Sequence, residues 1–172
     1  CHYLDKKSLF YLKIKNQGSK MLSWLENISF KDGSIPHFND STFNIALSSD
    51  ELKSIASQIG LKSDKKLKLK ESGYRKLEVN SMELIADVHG ISPSYQPGHA
   101  HADTFSYCLN KGNIPIVVDQ GISTYEITPR RDLERATTGH NTIAVNEKNS
   151  SEVWAGFRVG KRAKVDFLEE RE

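Results

Sequence analysis

The stretch Gly73–Val88, GYRKLEVNSMELIADV, decides the fold class. Before it, apolar residues recur at helical spacings; from Tyr74 onward the period is two. Tyr74, Lys76 and Glu78 alternate with Arg75, Leu77 and Val79 as an imperfect strand. Met82–Val88 reads as a more buried strand, and the intervening Asn80-Ser81 suits a tight hairpin.

Working downstream, four more short runs read as strands: residues 103–109, 114–119, 141–146 and 163–168. Asn110-Lys111-Gly112-Asn113 marks a second hairpin, and "PRRDLERATTG" reads as a charged connection. Short strands between turn clusters, with no helical pattern among them, predict an antiparallel sheet or sandwich.

Upstream, Ser8–Ile28 places Leu9, Leu12, Met21, Leu22, Leu25 and Ile28 at spacings suited to one helical face. Gly18 weakens the middle of that run and is a point where it would split. Phe30–Ser41 is an irregular loop, marked by Asp-Gly, Pro and Asn-Asp. A second helix is delimited by a capping box at Ser48 and Glu51, a stripe of Leu52, Ile55, Ala56 and Ile59, and a stop at Gly60. The expected class is therefore α+β, with a helical segment over 1–68 and a partial antiparallel β-sandwich over 69–172.

Composition bounds the function. Hydrophobic residues are 37% and charged residues 27% of the 172, with a net charge of +2, which suits a globular protein and argues for no nucleic-acid partner. The lysine-rich run Leu61–Lys70 reads as a solvated loop rather than a phosphate-binding patch. No window approaches the roughly 20 apolar residues of a membrane span, and no signal peptide is present. Cys1 and Cys108 make no disulfide framework, and Cys108 reads as a small buried residue. The chain starts with Cys and stops at "FLEERE", so it reads as a piece of a longer protein.

Chemistry concentrates in "PGHAHADTFSY", residues 97–107. In an extended chain residues i and i+2 share a face, so His99 and His101 project together and Asp103 follows on that side. Asp119 ends an apolar strand, and His140 precedes another. Two histidines and a carboxylate from three strand ends match a zinc ligand set with a fourth position left for water or another group. On spacing alone the set reads equally as surface polarity, a strand-end turn residue and a loop histidine. A cupin-type metal site is disfavoured, because no Glu follows the histidine pair.

The wording around these residues resembles the heparinase II/III-like polysaccharide lyases. One motif appears as Gly98, His99, His101, Asp103 and Ser106; a second as Asp119, Gly121 and Tyr125; a third as Arg135, Thr137, His140, Asn141 and Thr142. Ser151–Ala163 fits as well, and Trp24–Ser41 resembles the end of the family's (α/α) toroid, a softer match.

The resemblance implies a toroid packed on a β-sandwich, with an acidic, uronate-containing polysaccharide in the cleft between them. It implies a structural zinc held by His101, Asp119 and His140, and a catalytic role for His99, which would face the cleft. Tyr125 would be a cleft phenol acting as acid or base, or else a half-buried turn tyrosine. Arg135 would bind a substrate carboxylate, or pair with an acidic residue to order its loop. Asp103 would accept a hydrogen bond from an imidazole N–H, or simply end a strand, and His37 is a further candidate for the cleft. The family's principal proton-transfer tyrosine and its carboxylate-neutralising Asn or His belong to the toroid upstream, so this chain alone is expected to show little or no lyase activity. A periplasmic or extracellular bacterial location is implied too. The rival reading is a non-catalytic carbohydrate-binding or structural sandwich with zinc as a staple.

Overall fold

The structure is a computed structural model that describes residues 5–64, 69 and 72–167. Helix α1 spans Leu9–Ile28, and the Ser8 hydroxyl accepts the Tyr11 N–H at 3.1 Å to start it. Gly18 does not split the helix. Leu61 lies over it closely enough that a Cβ there would sit 3.1 Å from Leu61 Cδ1, so the missing side chain is a packing requirement. Half of the apolar stripe of α1, Leu9, Leu12 and Met21, is exposed; the buried residues of the helix are Ser23 and Ile28.

Helix α2, Ser49–Gln58, carries the expected capping box: Ser48 Oγ accepts from Glu51 N at 3.3 Å, and Glu51 Oε2 accepts from Ser48 N at 2.8 Å. Gly60, at φ +70°, closes it in a Schellman arrangement, with Gly60 N–H donating to Ser57 O and Leu61 N–H to Ala56 O.

Strands β1 (Tyr74–Val79), β2 (Met82–Asp87), β3 (Tyr107–Lys111) and β4 (Ile114–Val117) form one antiparallel meander in chain order. Val79 pairs with Met82, so Asn80-Ser81 makes the two-residue turn, with Asn80 at φ +55°. The buried face of β2 presents Glu83, Ile85 and Asp87. Glu83 is satisfied by Lys76 Nζ at 3.0 Å and by the Lys31 backbone N–H at 3.1 Å. The core gathers Ile28, Phe30 and Phe38 from the first segment with Leu69, Ile85 and Cys108, and Tyr74 stacks on Phe38 at 5.4 Å. One apolar cluster thus joins the helical segment to the sheet.

Several expectations are corrected. Residues 103–106 form a turn, with Phe105 at φ +65° and Ser106 N–H donating to Asp103 O, so β3 starts at Tyr107. Residues 141–146 are not a strand; Val145 makes only an isolated bridge with Lys148. Residues 163–167 form no strand, and Leu168 lies outside the described residues. The charged connection contains helix α3, Pro129–Arg135, and a 3₁₀ turn, Thr137–Gly139. Thr128 caps α3 and Pro129 occupies its first turn, but its buried residues are Arg131, Glu134 and Arg135. A polar inner face gives no apolar period to detect. Strands β5 (Val153–Trp154) and β6 (Arg158–Val159) pair as a small antiparallel ribbon. The described residues therefore show an α+β fold with a four-stranded sheet and a two-stranded one, and no second broad sheet. No helix among them is long and apolar enough to cross a membrane.

Candidate active site

The histidine loop is fixed by its own turn and by three distant residues. Ala100 N–H donates to Pro97 O at 2.9 Å, and His101 N–H donates to Asn39 Oδ1 at 3.0 Å. Arg135 Nη2 donates to Ala100 O at 3.0 Å, and Thr137 Oγ1 to Ala102 O at 2.6 Å. The Arg-x-Thr motif therefore grips the backbone on both sides of His101.

His99 and His101 do share a face, but in a loop, and they converge on a residue not singled out in the sequence. Asp40 Oδ2 lies 2.8 Å from His99 Nδ1, and Asp40 Oδ1 lies 2.8 Å from His101 Nε2. Arg131 grips the same carboxylate, Nη1 to Oδ1 at 2.5 Å and Nη2 to Oδ2 at 3.0 Å, and also donates to Gly156 O. The Arg131 side chain is fully buried and that of Asp40 is 5% exposed. Burial opposes charge on Asp40, yet the hydrogen bonds from His101, Arg131 and His99 hold its pKa down at about 2. Asp40 follows a Pro-containing loop as part of an Asn-Asp turn pair, and that turn chemistry concealed it. Arg131 was concealed by the missing apolar period of α3.

The two histidines have different surroundings. The His99 side chain is 63% exposed, with its ring 5.9 Å from Tyr125 and 5.5 Å from Phe157. Tyr125 is itself 46% exposed, and the Arg131 guanidinium lies 5.4 Å from the Tyr125 ring centre and 5.7 Å from that of Phe157. The His101 side chain is fully buried, its ring centre 5.2 Å from that of His140. His140 Nδ1 bonds Asp119 Oδ2 at 2.8 Å, and Asp119 Oδ1 accepts the Gly121 N–H at 2.9 Å.

Electrostatics separates this inner pair too. Burial pushes the His101 pKa down, against the hydrogen bond that His101 makes to Asp40. Burial works the same way on His140, but there the Asp119 hydrogen bond and charge prevail and the pKa is raised. Asp103 is raised to about 6, chiefly by burial. His37 is lowered by burial and lies edge-on to Phe43 at 4.0 Å.

The donors suit zinc chemically. His101 Nδ1, His140 Nε2 and Asp103 Oδ2 are buried without a hydrogen-bond partner, and Asp119 stands against His140. Among the described residues, no three His, Cys, Asp or Glu side chains already stand together as a metal cluster. Arg135 is 1% exposed and its Nη atoms donate to the carbonyls of Trp154, Ala155 and Ala100. Its Nε is buried without a hydrogen-bond partner, and none of these hydrogen bonds goes to an acid.

The second motif carries a backbone requirement. Gly121 sits at φ +58°, Ile122 N–H donates to Ser41 O, and a Cβ at 121 would run into that carbonyl oxygen. The left-handed backbone alone should make Gly121→Ala cost about 1–2 kcal/mol, with more from the collision. Urea unfolding reads the loss; an unchanged midpoint would show that the 119–122 turn is not clamped to the Ser41 loop.

Behind the loop, a cavity of about 30 Å³ is lined in part by Asn39, Tyr74, Asp87, His89 and Asp103, room for about one water. Burial, then the neighbouring Asp103 charge, raises Asp87 to about 8 from an ordinary 3.8. A carboxyl raised in this way favours the folded state below its unfolded pKa and loses that advantage as pH climbs towards 8. Asp87→Asn removes the titration and can keep the acceptor for the His89 N–H. The expected result is an unchanged melting temperature at pH 4 and a gain above about 1 kcal/mol at pH 8. No gain at pH 8 would mean that Asp87 ionises without strain.

The family comparison covers this constellation. The family model described as Heparinase II/III-like, C-terminal, matches residues 62–172. The chain belongs to this family. The matched region contains His99, His101, Asp103, Asp119, Tyr125, Arg135 and His140, whereas Asp40 lies upstream of it. Neither a search of curated proteins nor one of solved structures returned a significant match. Membership in a heparinase II/III-like family supplies a polysaccharide-lyase context, with acidic polysaccharide as the general substrate class.

Proposed function

We propose that this chain is the histidine-bearing part of a polysaccharide lyase that cleaves uronate-containing glycans by β-elimination, with a structural zinc behind the site. The division of the histidine pair carries this reading: His99 is exposed beside Tyr125, while His101 is buried beside His140. A His99 that was buried and fully paired would instead be structural.

β-Elimination requires that the uronate C5 proton be removed, the C4–oxygen bond broken and the leaving oxygen protonated, as the C4–C5 double bond forms. His99 is suited to proton transfer or to hydrogen-bonding the uronate carboxylate, since it anchors through Nδ1 and keeps an exposed ring. Tyr125, half-exposed at its side, is the second proton-transfer candidate. Arg135 and Thr137 hold the loop backbone, and Asp40 and Arg131 hold the rings. His101, Asp119 and His140 would hold the zinc, with Asp103 as a hydrogen-bond acceptor behind them. Bound there, the metal would act structurally, fixing the loop that aims His99.

The partner is an acidic polysaccharide, and the site of action is outside the cytoplasm, in the periplasm or beyond. In the full-length protein, His99→Ala should lower kcat at least about a hundredfold with little change in melting temperature. Undiminished kcat would remove His99 from the chemistry and favour the non-catalytic carbohydrate-binding reading.

A further inference from the structure

We infer that Asp40 is a positioning residue that sets opposite tautomers on the two histidines, placing the proton on Nδ1 of His99 and on Nε2 of His101. Both contacts are 2.8 Å, one to each carboxylate oxygen. Arg131 forks onto the same two oxygens from a fully buried position. A carboxylate held by a guanidinium in this way is ionised, and an ionised carboxylate only accepts hydrogen bonds. The imidazole nitrogen facing each oxygen must therefore be the one that carries the hydrogen.

In a neutral ring the remaining nitrogen then holds the lone pair. In His99 this is Nε2, on a side chain that is 63% exposed. In His101 it is Nδ1, buried and without a partner, in the ring adjacent to His140. Arg131 Nη1 also comes within 3.4 Å of His101 Nε2. A bond there would need a lone pair on Nε2, and the shorter charge-assisted bond to Asp40 takes precedence. One carboxylate thus leaves a basic nitrogen on the exposed ring and another within the buried histidine pair.

Asp40 acts across 59 residues of sequence to His99 and 61 to His101, from the loop that follows α1. The first segment thereby dictates the protonation pattern of the loop after β2. The catalytic consequence rests on the lyase reading; the tautomer assignment does not.

Long-range ¹H–¹⁵N correlation spectra of the histidine rings in the full chain test it. The expected spectrum has a pyrrole-type Nδ1 and a pyridine-type Nε2 on His99, with a pyrrole-type Nε2 on His101. Asp40→Asn has one acceptor oxygen in place of two, so at least one of the rings should switch tautomer or lose its fixed one. Asp40→Glu, which keeps both acceptors, should retain the wild-type pattern at least in part. Backbone amide spectra establish that each variant is folded. A wild-type His99 with its proton on Nε2, or both tautomers unchanged in a folded Asp40→Asn, would overturn the assignment. If the Asn variant does not fold, the wild-type spectrum and Asp40→Glu decide. In the full-length enzyme Asp40→Asn should lower kcat more than it changes KM. If the tautomers are as assigned while His99→Ala retains full turnover, the lyase reading falls and the role of Asp40 stands.

Discussion

Replacing Arg131 with methionine should destabilise the protein by about 3–5 kcal/mol, read from the urea midpoint at neutral pH. Methionine matches much of the side-chain volume, so lost packing contributes little. The cost arises because Asp40, whose side chain is 5% exposed, would keep its charge without the bidentate cation that offsets it. The Gly156 carbonyl would lose its donors as well. His99 and His101 offer only one N–H each and cannot replace the guanidinium.

The double variant Asp40→Asn/Arg131→Met removes both charges and should recover part of the loss, since the coupling between neighbours is not additive. Acid supplies an independent check. Asp40 has a folded pKa of about 2 against an ordinary 3.8. Its contribution is complete above the unfolded value and is lost as pH falls through the folded one, so the Arg131→Met penalty should shrink between about pH 4 and pH 2. A penalty below about 1 kcal/mol at neutral pH would mean that water reaches the pair and that the ion pair does little to hold the histidine loop.

Removing zinc is expected to have the largest effect on stability. His101 and His140 each bury a ring nitrogen without a partner, and leaving such an atom unsatisfied costs about 1–3 kcal/mol. A cation between these side chains would satisfy them and join the loop after β2 to the strand end at Asp119 and the turn after α3. Ligand held at about a thousand times its Kd stabilises the folded state by about 4 kcal/mol, and structural zinc in small domains contributes more. The purified protein should therefore carry close to one equivalent of zinc. Chelation should lower its melting temperature by several degrees, and added zinc should restore it. His101→Ala and His140→Ala should each abolish that response. Absence of zinc by elemental analysis, with a melting curve that chelator does not move, would remove the metal and leave the inner histidines held only by Asp40 and Asp119.

The parts of the fold that were legible in the sequence are those set by local chemistry. The capping box at Ser48 and Glu51, the stop at Gly60 and the hairpin around Asn80-Ser81 each depend on residues within a few positions of one another. Residues 141–146 misled because alternating apolar residues predict a strand only where a partner is within reach, and here Ile143 and Val145 are exposed. α3 was hidden because its buried side chains are two arginines and a glutamate. The site divides along the same line. His99 and His101 converge on one carboxylate, though in a loop rather than the extended strand that the i, i+2 reading assumes, and Asp119 does meet His140. Asp40 could not be read, since its partners lie 59 to 91 residues away and Asn-Asp in a Pro-containing loop is ordinary turn chemistry. Arg135 shows the converse: a charge that suggested substrate places its Nη atoms on backbone carbonyls, with Nε buried and unpartnered.

The reaction class is tested most directly by the products formed when the full-length protein is incubated with a panel of heparan, chondroitin, hyaluronan and alginate chains. The expected result is a C4–C5 unsaturated uronate at the new non-reducing end, seen by its ultraviolet absorbance and by mass, with at least one member of the panel and not with the His99→Ala variant. Cleavage yielding saturated ends with water added, or equal release of unsaturated product by His99→Ala, would contradict a β-elimination site built on the exposed histidine.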